Sequence, residues 1–340
     1  MIQDALARLL DGRDLSRSEA REAMGEIMRG EATSAQIGGF LVALRLKGET
    51  VDEIAGCAEA MREHVLPVEP SRPDLVDTAG TGGDGAHTLN ISTAAALVAA
   101  AAGAGVAKHG NRAVSSASGS ADVLEALGFE LELEPPRIAR SIDELGFGFM
   151  FAPTHHPAMR HAAPVRRELG TRTIFNVLGP LTNPARARAQ IVGVYSADLV
   201  PTIAGVLASL GAHRAFVVHG AGGIDELSPA GVNLVYEVVD GELHKREIDP
   251  LDLGIERCGD EDLRGGAPAE NAAMIRAVFA GEPGPRRDAI LLNAAGAIAA
   301  AGHAADLGEG LENAREAVDS GAAADRLDEL VAFSRAERVA

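Results

Sequence analysis

The sequence predicts an α/β protein with a small helical amino-terminal domain and a large domain built on a mainly parallel sheet. Helix-start signals and apolar residues at spacings of three and four dominate the first 65 or so residues. Farther along, short apolar runs alternate with segments of helix length, and strands separated in this way form βαβ units. We therefore place a helical domain at 1–70, joined by helices from about 155–172, and an α/β domain at 73–340.

Three capping boxes mark the helical start. They pair Ser16 with Glu19, Thr33 with Gln36 and Thr50 with Glu53. In each box the hydroxyl can accept from the third helical amide while the Glu or Gln returns the bond. The stretch 66–73 carries three prolines, which disfavours a helix and predicts a stiff linker to the next domain.

Short apolar runs predict the strands of the sheet. They lie at 75–77, 106–108, 147–152, 190–195 and 215–219. Two further runs, 235–239 and 243–248, flank Asp240-Gly241, which favours the positive φ angles of a type I′ hairpin turn. We expect this hairpin to be an appendage. The alanine-rich stretch 290–305 predicts a helix, and 311–339 predicts one amphipathic helix.

Composition excludes several classes of function. The chain has 31 Lys and Arg against 49 Asp and Glu, a net charge of −18, so we expect no nucleic-acid partner and a local site for any bound anion. The longest uncharged apolar stretch, 94–107, is shorter than the roughly 18–20 residues that span a bilayer, so we expect no membrane role. The amino terminus lacks an apolar signal region, and Cys57 and Cys258 form no C-x-x-C pair, which together predict a cytoplasmic protein.

The densest chemical signal is the segment Asp77-Thr-Ala-Gly-Thr-Gly-Gly-Asp84, which follows the first predicted strand and precedes Asn90-Ile-Ser-Thr93. A glycine-rich turn between a strand and a helix lets backbone amides approach a phosphate, and the amino end of the helix favours an anion. The segment lacks the G-K-[ST] ending of a Walker A motif and does not match G-x-G-x-x-G. It predicts a phosphate cradle; the alternative is a glycine turn in which Asn90 or Ser92 only caps a helix.

A second polar group follows the next predicted strand, in Lys108-His-Gly-Asn-Arg112 and on to Ser115, Ser116, Ser118 and Ser120. Cations, glycine and hydroxyls beyond the carboxyl end of a strand predict an anion site at the edge where open α/β sheets bind ligands. Two such sites on adjacent strands indicate a ligand phosphorylated at both ends. The alternative is a solvated loop of basic residues.

Two adjacent carboxylates, Asp225 and Glu226, follow the predicted strand 215–219. Such hard oxygen ligands suit Mg²⁺, which keeps most of its waters and bridges to phosphate oxygens. A surface acid pair is the alternative. The position of this pair among the phosphate loops favours the metal.

Arginines in the segment 164–173, among them Arg166, could hold a carboxylate in a bidentate manner, as an aromatic acid would require. Three histidines, His155, His156 and His161, precede them. A metal site there is disfavoured because the sequence has no H-E-x-x-H or comparable ligand set. Capping or core roles are more common for such histidines.

Taken together, these four stretches resemble those of the anthranilate phosphoribosyltransferase family. The family's motifs are matched by Gly80-Thr-Gly-Gly-Asp84, by Asn90-Ile-Ser-Thr93, by Lys108-His-Gly-Asn-Arg112 and by Asp225-Glu226. The match runs in order over nearly the whole chain, including the helical start. One departure is Leu89, where the family commonly has an aromatic residue, and we expect it to change packing only.

The resemblance implies a fold like that of the nucleoside phosphorylases of the pyrimidine type, with a small helical domain that closes over a large α/β domain. It implies a homodimer formed through the helical domains, Mg²⁺ as cofactor, and anthranilate and phosphoribosyl diphosphate as substrates. Phosphoribosyl diphosphate would contact Gly80, Gly83, Asp84, Thr88, Asn90, Ile91, Ser92, Thr93, Lys108, His109, Gly110, Asn111, Arg112, Ala113, Val114, Ser115, Ser116 and Ser120. Anthranilate would contact Gly80, His109, Asn111 and Arg166. Magnesium would be held, directly or through water, by Ser92, Asp225 and Glu226.

The implied reaction transfers the phosphoribosyl group to the anthranilate amine and gives N-(5-phosphoribosyl)anthranilate and diphosphate, in tryptophan biosynthesis. Because this amine is an aniline and neutral, no strong base is needed; we assign no nucleophile, and His109 either accepts a proton or shapes the aromatic pocket. Two alternatives stay open. A pyrimidine nucleoside phosphorylase-like enzyme is disfavoured by the two phosphate-type sites, and a non-catalytic nucleic-acid-binding relative is disfavoured by the net charge of −18.

Overall fold

The computed structural model describes residues 1–113 and 117–336. The helices are α1 (Ile2–Leu10), α2 (Arg17–Arg29), α3 (Ser34–Lys47), α4 (Val51–Glu63), α5 (Ile91–Ala101), α6 (Ser120–Leu127), α7 (Pro135–Leu145), α8 (Ala152–His155), α9 (Ala163–Leu169), α10 (Phe175–Leu178), α11 (Leu199–Ser209), α12 (Pro268–Phe279), α13 (Pro285–Ala300), α14 (Leu307–Asp319) and α15 (Ala322–Arg335). The strands are β1 (Leu75–Gly80), β2 (Gly105–Gly110), β3 (Phe147–Phe151), β4 (Ala189–Gly193), β5 (Arg214–His219), β6 (Asn233–Val239) and β7 (Glu242–Ile248). Short 3-10 helices lie at Pro157–His161, Gly179–Leu181, Ala221–Gly223, Pro250–Leu253 and Asp260–Leu263. None of the described helices has the length and apolar composition that crossing a bilayer requires.

The capping boxes predicted for the helical start are confirmed. Reciprocal bonds cap α2, α3 and α4. At the start of α4 the Glu53 amide donates to Thr50 Oγ1 at 3.3 Å, and the Thr50 amide donates to Glu53 Oε2 at 2.8 Å. The apolar sides of these helices meet in one core, in which Phe40 and Leu41 have no exposed surface.

The amino-terminal helices share their core with later segments of the chain. Ala162, Val165 and Phe175 belong to the same apolar cluster, which continues through α11 onto one face of the sheet. This packing supports the expectation that helices from about 155–172 join the helical domain. The limits of the two domains, 1–70 and 73–340, stay a prediction.

The described strands form one seven-stranded sheet in the order β3-β2-β1-β4-β5-β6-β7. The first five strands of the chain pair in parallel, so the predicted mainly parallel sheet is confirmed. β1 and β2 are longer than the predicted runs 75–77 and 106–108, because each continues to a glycine, Gly80 and Gly110. These strand ends carry the site described below.

The hairpin of β6 and β7 belongs to the sheet, so the expectation of an appendage was wrong. β6 pairs antiparallel with β5 from Leu234 to Val239, and β7 pairs with β6. Val235 and Val238 are both buried, in different apolar clusters on opposite faces of the sheet, and this burial fastens β6 to the core on both faces. The turn has the predicted positive φ angles, 46° at Asp240 and 89° at Gly241.

The carboxyl-terminal region holds two helices where the sequence predicted one. α14 ends at Asp319 and α15 begins at Ala322, because Gly321 between them has a φ of 84°, which no helical residue adopts. The alanine-rich helix is confirmed as α13, although it runs from Pro285 to Ala300 and not from 290 to 305. Residues 337–339 of the predicted tail helix lie outside the described part of the chain.

Candidate active site at the carboxyl edge of the sheet

Three of the predicted segments meet at one edge of the sheet because their strands are parallel neighbours. The strands β2, β1, β4 and β5 lie side by side. Their carboxyl ends therefore share one edge, here called the carboxyl edge. The glycine loop (residues 80–84), the loop that follows β2 and the acid pair (Asp225 and Glu226) all leave from this edge.

The acid pair lies directly against the glycine loop. The Gly82 amide donates to Asp225 Oδ2 at 2.7 Å, and the Asp225 amide donates to Asp84 Oδ2 at 3.2 Å. A Cβ atom on Gly80 would overlap Asp225 Oδ2, and one on Gly193 would overlap the Asp225 carbonyl oxygen. Glycine at these two strand ends is therefore what allows Asp225 to reach the loop.

The amino end of α5 faces Glu226. The Ser92 amide donates to Glu226 Oε1 at 3.1 Å, so a carboxyl group already lies at the helix end, where backbone amides favour an acceptor. Asn90 precedes the helix, but its side chain does not cap it. Instead the Asn90 side chain bonds the Ser118 carbonyl at 3.0 Å and accepts from Asn271 at 2.8 Å. Simple capping by Asn90, the alternative considered from the sequence, is therefore wrong.

Other predicted residues of this segment contribute through the backbone. Thr88 forms an isolated antiparallel bridge with Arg264. The side chains of Ile91 and Thr93 are buried. A ligand at the carboxyl edge could therefore meet these two residues only through the backbone at the start of α5. Of the two amides, that of Ile91 already donates to the Leu89 carbonyl at 2.6 Å.

Crowded carboxylates make this place suited to a cation. Burial raises the pKa of Asp225, and Asp84 raises it further; burial and then Asp225 raise the pKa of Glu226. A bound cation would favour the ionised form of both groups. No three His, Cys, Asp or Glu side chains within 1–113 and 117–336 form a ready metal cage. Mg²⁺ commonly uses one or two carboxylates with substrate phosphates and water, and Asp225, Glu226 and the adjacent Ser92 fit that pattern.

Lys108 is buried, with its side chain bonded to Thr78 on β1. Its side chain is only 2% exposed, and its Nζ donates to Thr78 Oγ1 at 3.0 Å and to the Thr78 carbonyl. Burial lowers the pKa of Lys108, while Asp77 and Glu226 act in the opposite direction. Its contact with phosphoribosyl diphosphate stays a prediction.

Asp77 has a structural role at the site that the sequence did not indicate. Its Oδ1 accepts from the His109 amide at 3.1 Å, and its Oδ2 accepts from Asn183 Nδ2 at 2.7 Å. Burial raises the pKa of Asp77 to about 6. The only signal in the sequence was an acidic residue inside an apolar run. Through Asp77, β1 fixes the end of β2 and the segment that contains Asn183.

Arg112 is engaged within the loop that follows β2. Its guanidinium pairs with Asp122 at 3.1 Å and with Glu125. Asp122 also accepts from the Ala113 and Gly119 amides at 2.8 and 2.9 Å. Because two carboxylates already neutralise Arg112, it is the predicted phosphate contact that this geometry favours least.

The remainder of this loop closes tightly on itself. Ser120 Oγ donates to the Asn111 carbonyl at 3.2 Å, and a Cβ atom on Gly110 would overlap Ser120 Oγ. The Asn111 side chain is at the surface, where it accepts from the Arg112 amide at 2.8 Å. Three predicted contacts lie outside the described residues, namely Val114, Ser115 and Ser116.

His109 follows Lys108 at the end of β2, and its ring is buried beside His156. The Nε2 atoms of the two rings are 3.1 Å apart and the ring centroids 4.9 Å apart. His109 Nδ1 lies 3.3 Å from the Gly179 carbonyl oxygen. Burial, followed by the neighbouring His156, lowers the pKa of His109 well below its usual value, so this ring is neutral at pH 7.

Arg166 lies on α9 with its guanidinium 5.0 Å from the centre of the Phe175 ring. It is partly buried, and burial lowers its pKa with no contribution from any described acidic group. A partly buried arginine with no carboxylate partner among residues 1–113 and 117–336 is suited to bind one from a ligand. The contact of Arg166 with anthranilate stays a prediction.

Arg172 is a residue of the site that sequence reasoning missed. Its guanidinium donates to the Gly83 carbonyl and lies 4.0 Å from the centre of the Tyr195 ring. The Tyr195 amide in turn donates to Thr81 Oγ1 at 3.1 Å. Arg172 thus joins the segment after α9 to the glycine loop. Its place in the arginine-containing segment 164–173 was the only signal.

A hollow of about 540 Å³ lies elsewhere, beside the antiparallel strands, and none of the predicted site residues lines it. Its most buried cation, Arg214, is already bonded to Glu237 at 3.0 Å and to the Ala305 carbonyl at 2.9 Å. The convergent polar groups lie at the carboxyl edge, so we assign the chemistry to that edge and not to the hollow.

The chain has the architecture of a glycosyl transferase. It combines a helical bundle and a mainly parallel sheet whose carboxyl edge is suited to bind phosphate and a cation. The a/b domain of the glycosyl transferase family matches residues 72–324, and the helical bundle domain of that family matches residues 3–65. Two relatives named anthranilate phosphoribosyltransferase are similar over nearly their full length. The protein from Anaeromyxobacter sp. (strain Fw109-5) is 56% identical over 98% of this chain and 99% of its own. The protein from Symbiobacterium thermophilum is 53% identical over 97% of this chain and 96% of its own.

Solved structures agree with this similarity. Anthranilate phosphoribosyltransferase from Thermus thermophilus has a TM-score of 0.93 at 50% identity, over 98% of this chain and 100% of that one. The Saccharomyces cerevisiae enzyme, in complex with PRPP and Mg, has a TM-score of 0.90 at 29% identity, over 98% and 97%. The chain therefore belongs to the anthranilate phosphoribosyltransferase family. The resemblance and the fold class predicted from the sequence are confirmed.

Proposed function

We propose that the chain is a magnesium-dependent anthranilate phosphoribosyltransferase of tryptophan biosynthesis. It transfers the phosphoribosyl group of phosphoribosyl diphosphate to the anthranilate amine and releases diphosphate. The observation that carries the proposal is the meeting of Asp84, the acid pair and the amino end of α5 at one edge of the sheet. The relatives with this name, one of them solved with PRPP and Mg, support the substrates and the ion.

The reaction breaks the bond between ribose C1 and the diphosphate oxygen and forms a bond from C1 to the anthranilate nitrogen, which then releases one of its two protons to solvent or to the departing diphosphate. Negative charge grows on the diphosphate as its bond breaks, so donors and positive charges fixed around it lower the barrier. Asp225, Glu226 and Ser92 would hold Mg²⁺, which when bound neutralises that charge. The Gly83 and Asp84 amides would be the donors of the glycine loop, because the Thr81 and Gly82 amides already donate to the Gly193 carbonyl and to Asp225. Lys108, bonded to Thr78, adds positive charge nearby.

For phosphoribosyl diphosphate we retain the contacts predicted from the sequence and order them by geometry. The glycine loop, Asp84 and the amino end of α5 are best placed, because they share the carboxyl edge. Arg112 is least suited, because Asp122 and Glu125 already neutralise it. A sugar with phosphate at both ends would extend from the acid pair toward the loop after β2.

On the acceptor side we propose that Arg166 binds the anthranilate carboxylate, with Gly80, His109 and Asn111 around it. The amine is neutral at pH 7 and attacks with its own lone pair. The protein therefore forms no covalent intermediate and needs no nucleophile. Arg166 orients the acceptor, which contributes to the rate through position alone.

The direct test mixes the protein with anthranilate, phosphoribosyl diphosphate and Mg²⁺ and follows the loss of anthranilate fluorescence. We expect the loss only when all three are present, and we expect a chelator to stop it and excess Mg²⁺ to restore it. A protein that instead splits thymidine with inorganic phosphate would be phosphorylase-like. One that catalyses neither reaction but retains nucleic acid on a filter at moderate salt would be a non-catalytic relative. Either result would overturn the proposal.

We also propose a homodimer formed through the helical domains. Leu10 on α1 and Val42 and Leu46 on α3 are 73%, 36% and 83% exposed, and apolar surface of this kind is commonly covered by a symmetric partner. Light scattering should give the mass of two 35.1 kDa chains, and Leu46→Arg should shift it toward one. A wild-type monomer at micromolar concentration would contradict the proposal.

We place the protein in the cytoplasm, because both cysteines are free, Cys57 in the core and Cys258 partly buried. We expect no nucleic-acid partner, given the net charge of −18. Cell fractionation that follows the transferase activity tests the location.

A further inference from the structure

Two buried imidazoles lie behind the acceptor side of the site. His109 stands at the end of β2, and His156 lies between α8 and the 3-10 helix Pro157–His161. Both side chains are less than a tenth exposed, at 8% and 7%. The reaction as described gives His109 a place in the acceptor pocket and gives His156 no role. Their contact is therefore an unused feature beside the chemistry.

The contacts of the two rings allow one arrangement of protons. A neutral imidazole has one N–H and one bare nitrogen. His109 Nδ1 faces the Gly179 carbonyl oxygen at 3.3 Å, and because a carbonyl can only accept, this nitrogen carries the proton. His109 Nε2 is then bare. It accepts from His156 Nε2, 3.1 Å away, which carries the proton of the second ring.

The charged surroundings do not favour an imidazolium in either ring. Burial lowers the pKa of both His109 and His156, and the neighbouring His155 and Lys108 lower that of His109 further. The nearby carboxylate, Asp77, bonds the backbone amide of His109 at 3.1 Å and not its ring. Two neutral rings that share one hydrogen bond are therefore the arrangement that the geometry supports.

We propose that His156 is a positioning residue that locks His109 in the Nδ1–H form with its Nε2 lone pair occupied. The inference rests on the proposed function, in which His109 borders the anthranilate pocket. A locked His109 has neither a free N–H nor a free lone pair. The His109 ring therefore has a fixed orientation and sets the plane of the anthranilate ring by contact. It does not accept the proton released in the reaction.

The residue type at position 156 follows from this role. A phenylalanine would fill a similar volume but would leave His109 Nε2 as a bare buried nitrogen without a donor, which is costly and frees the ring to turn. A glutamine is smaller, but its amide can donate to the same nitrogen. These two variants therefore separate the hydrogen bond from the packing.

The first test is spectroscopic and does not depend on activity. Long-range ¹H–¹⁵N correlation on the full chain, labelled at the histidine ring nitrogens, shows which nitrogen of each ring carries a proton. We expect His109 to be protonated at Nδ1 and His156 at Nε2 at neutral pH, with signals assigned from His109→Asn and His156→Gln. A His109 ring protonated at Nε2, or at both nitrogens, would overturn the proposal.

The second test uses kinetics. In His156→Phe we expect the KM for anthranilate to rise about ten-fold, equivalent to ~1.4 kcal/mol, while kcat and the KM for phosphoribosyl diphosphate change by no more than about two-fold. His156→Gln should keep the His109 signal and restore most of the affinity. His213→Phe is the control, because His213 lies at the surface and contacts Asp240 in the distant hairpin.

Wild-type kinetics and an unchanged His109 signal in His156→Phe would contradict the proposal, as would equal effects on both KM values. Absence of transfer in the wild type would refute the proposed function alone. In that case the ring signals would still decide whether His156 locks His109.

Discussion

Replacing Glu226 by glutamine should have opposite effects on two properties. It should raise the stability of the metal-free protein and lower the rate of phosphoribosyl transfer. The substitution keeps the size of the side chain and an oxygen that can accept from the Ser92 amide, now bonded at 3.1 Å. It removes a carboxyl group, and with it the possibility of ionisation, beside Asp225. Burial, with Asp225 adding to it, raises the pKa of Glu226 above its ordinary value of 4.5.

The raised pKa sets the sign of the stability change. Above pH 4.5 the unfolded chain ionises Glu226 readily while the folded chain resists it, so the folded state loses stability as the pH rises. Each tenfold change in proton affinity is worth about 1.4 kcal/mol. Because the side chain is partly exposed, the penalty at neutral pH is on the order of 1–3 kcal/mol. Glu226→Gln should therefore melt roughly 1–6 °C higher than the wild type.

Two assays check this reasoning. Thermal unfolding in a chelator should show the gain at pH 7 and its loss near about pH 4, where both states protonate Glu226. The transfer rate should fall about 10²–10³-fold, the usual effect of losing one fixed electrostatic group. Glu312→Gln, an exposed acid on α14, should change neither. A Glu226→Gln protein that melts below the wild type at pH 7 in chelator, or that turns over at the wild-type rate, would refute the argument.

Three further substitutions test the other parts of the site. Asp84→Ala removes the carboxylate that accepts from the Asp225 amide at 3.2 Å. It should abolish transfer while the circular dichroism spectrum stays native, and wild-type turnover would exclude Asp84 from the site. Arg166→Ala should raise the KM for anthranilate about 10–100-fold, the loss of a charged hydrogen bond worth about 1.5–3 kcal/mol, and change the KM for phosphoribosyl diphosphate little; equal effects would mean that Arg166 does not face anthranilate. Gly193→Ala would place a Cβ atom into the Asp225 carbonyl. It should lower the free energy of unfolding by about 1–3 kcal/mol and also lower the transfer activity. Native melting and turnover would show that Asp225 is not held as described.

Local chemistry made much of the fold and part of the site predictable. The capping boxes act within four residues, so the starts of α2, α3 and α4 could be predicted from the sequence. Each chemical segment follows an apolar run, and parallel strands present their carboxyl ends at one edge. The meeting of the glycine loop with the acid pair could therefore be expected, and Gly82 and Asp225 are indeed bonded at 2.7 Å.

Long-range partners explain what could not be predicted. Arg112 is neutralised by Asp122 and Glu125 on α6, and an arginine in a glycine-containing loop gives no sign of such pairing. Arg172 reaches Gly83 across 89 residues of sequence. The place of β6 in the sheet depends on its pairing with β5, which hydrophobic alternation alone does not specify.

The central claim is that the acid pair holds a divalent ion while the glycine loop and the amino end of α5 grip the phosphates of one substrate. Anomalous diffraction from crystals of this protein grown with Mn²⁺ and phosphoribosyl diphosphate tests it most directly. We expect a metal peak in direct or water-mediated contact with Asp225 and Glu226, beside phosphate density on the glycine loop. A metal peak and substrate bound away from the carboxyl edge would contradict the claim.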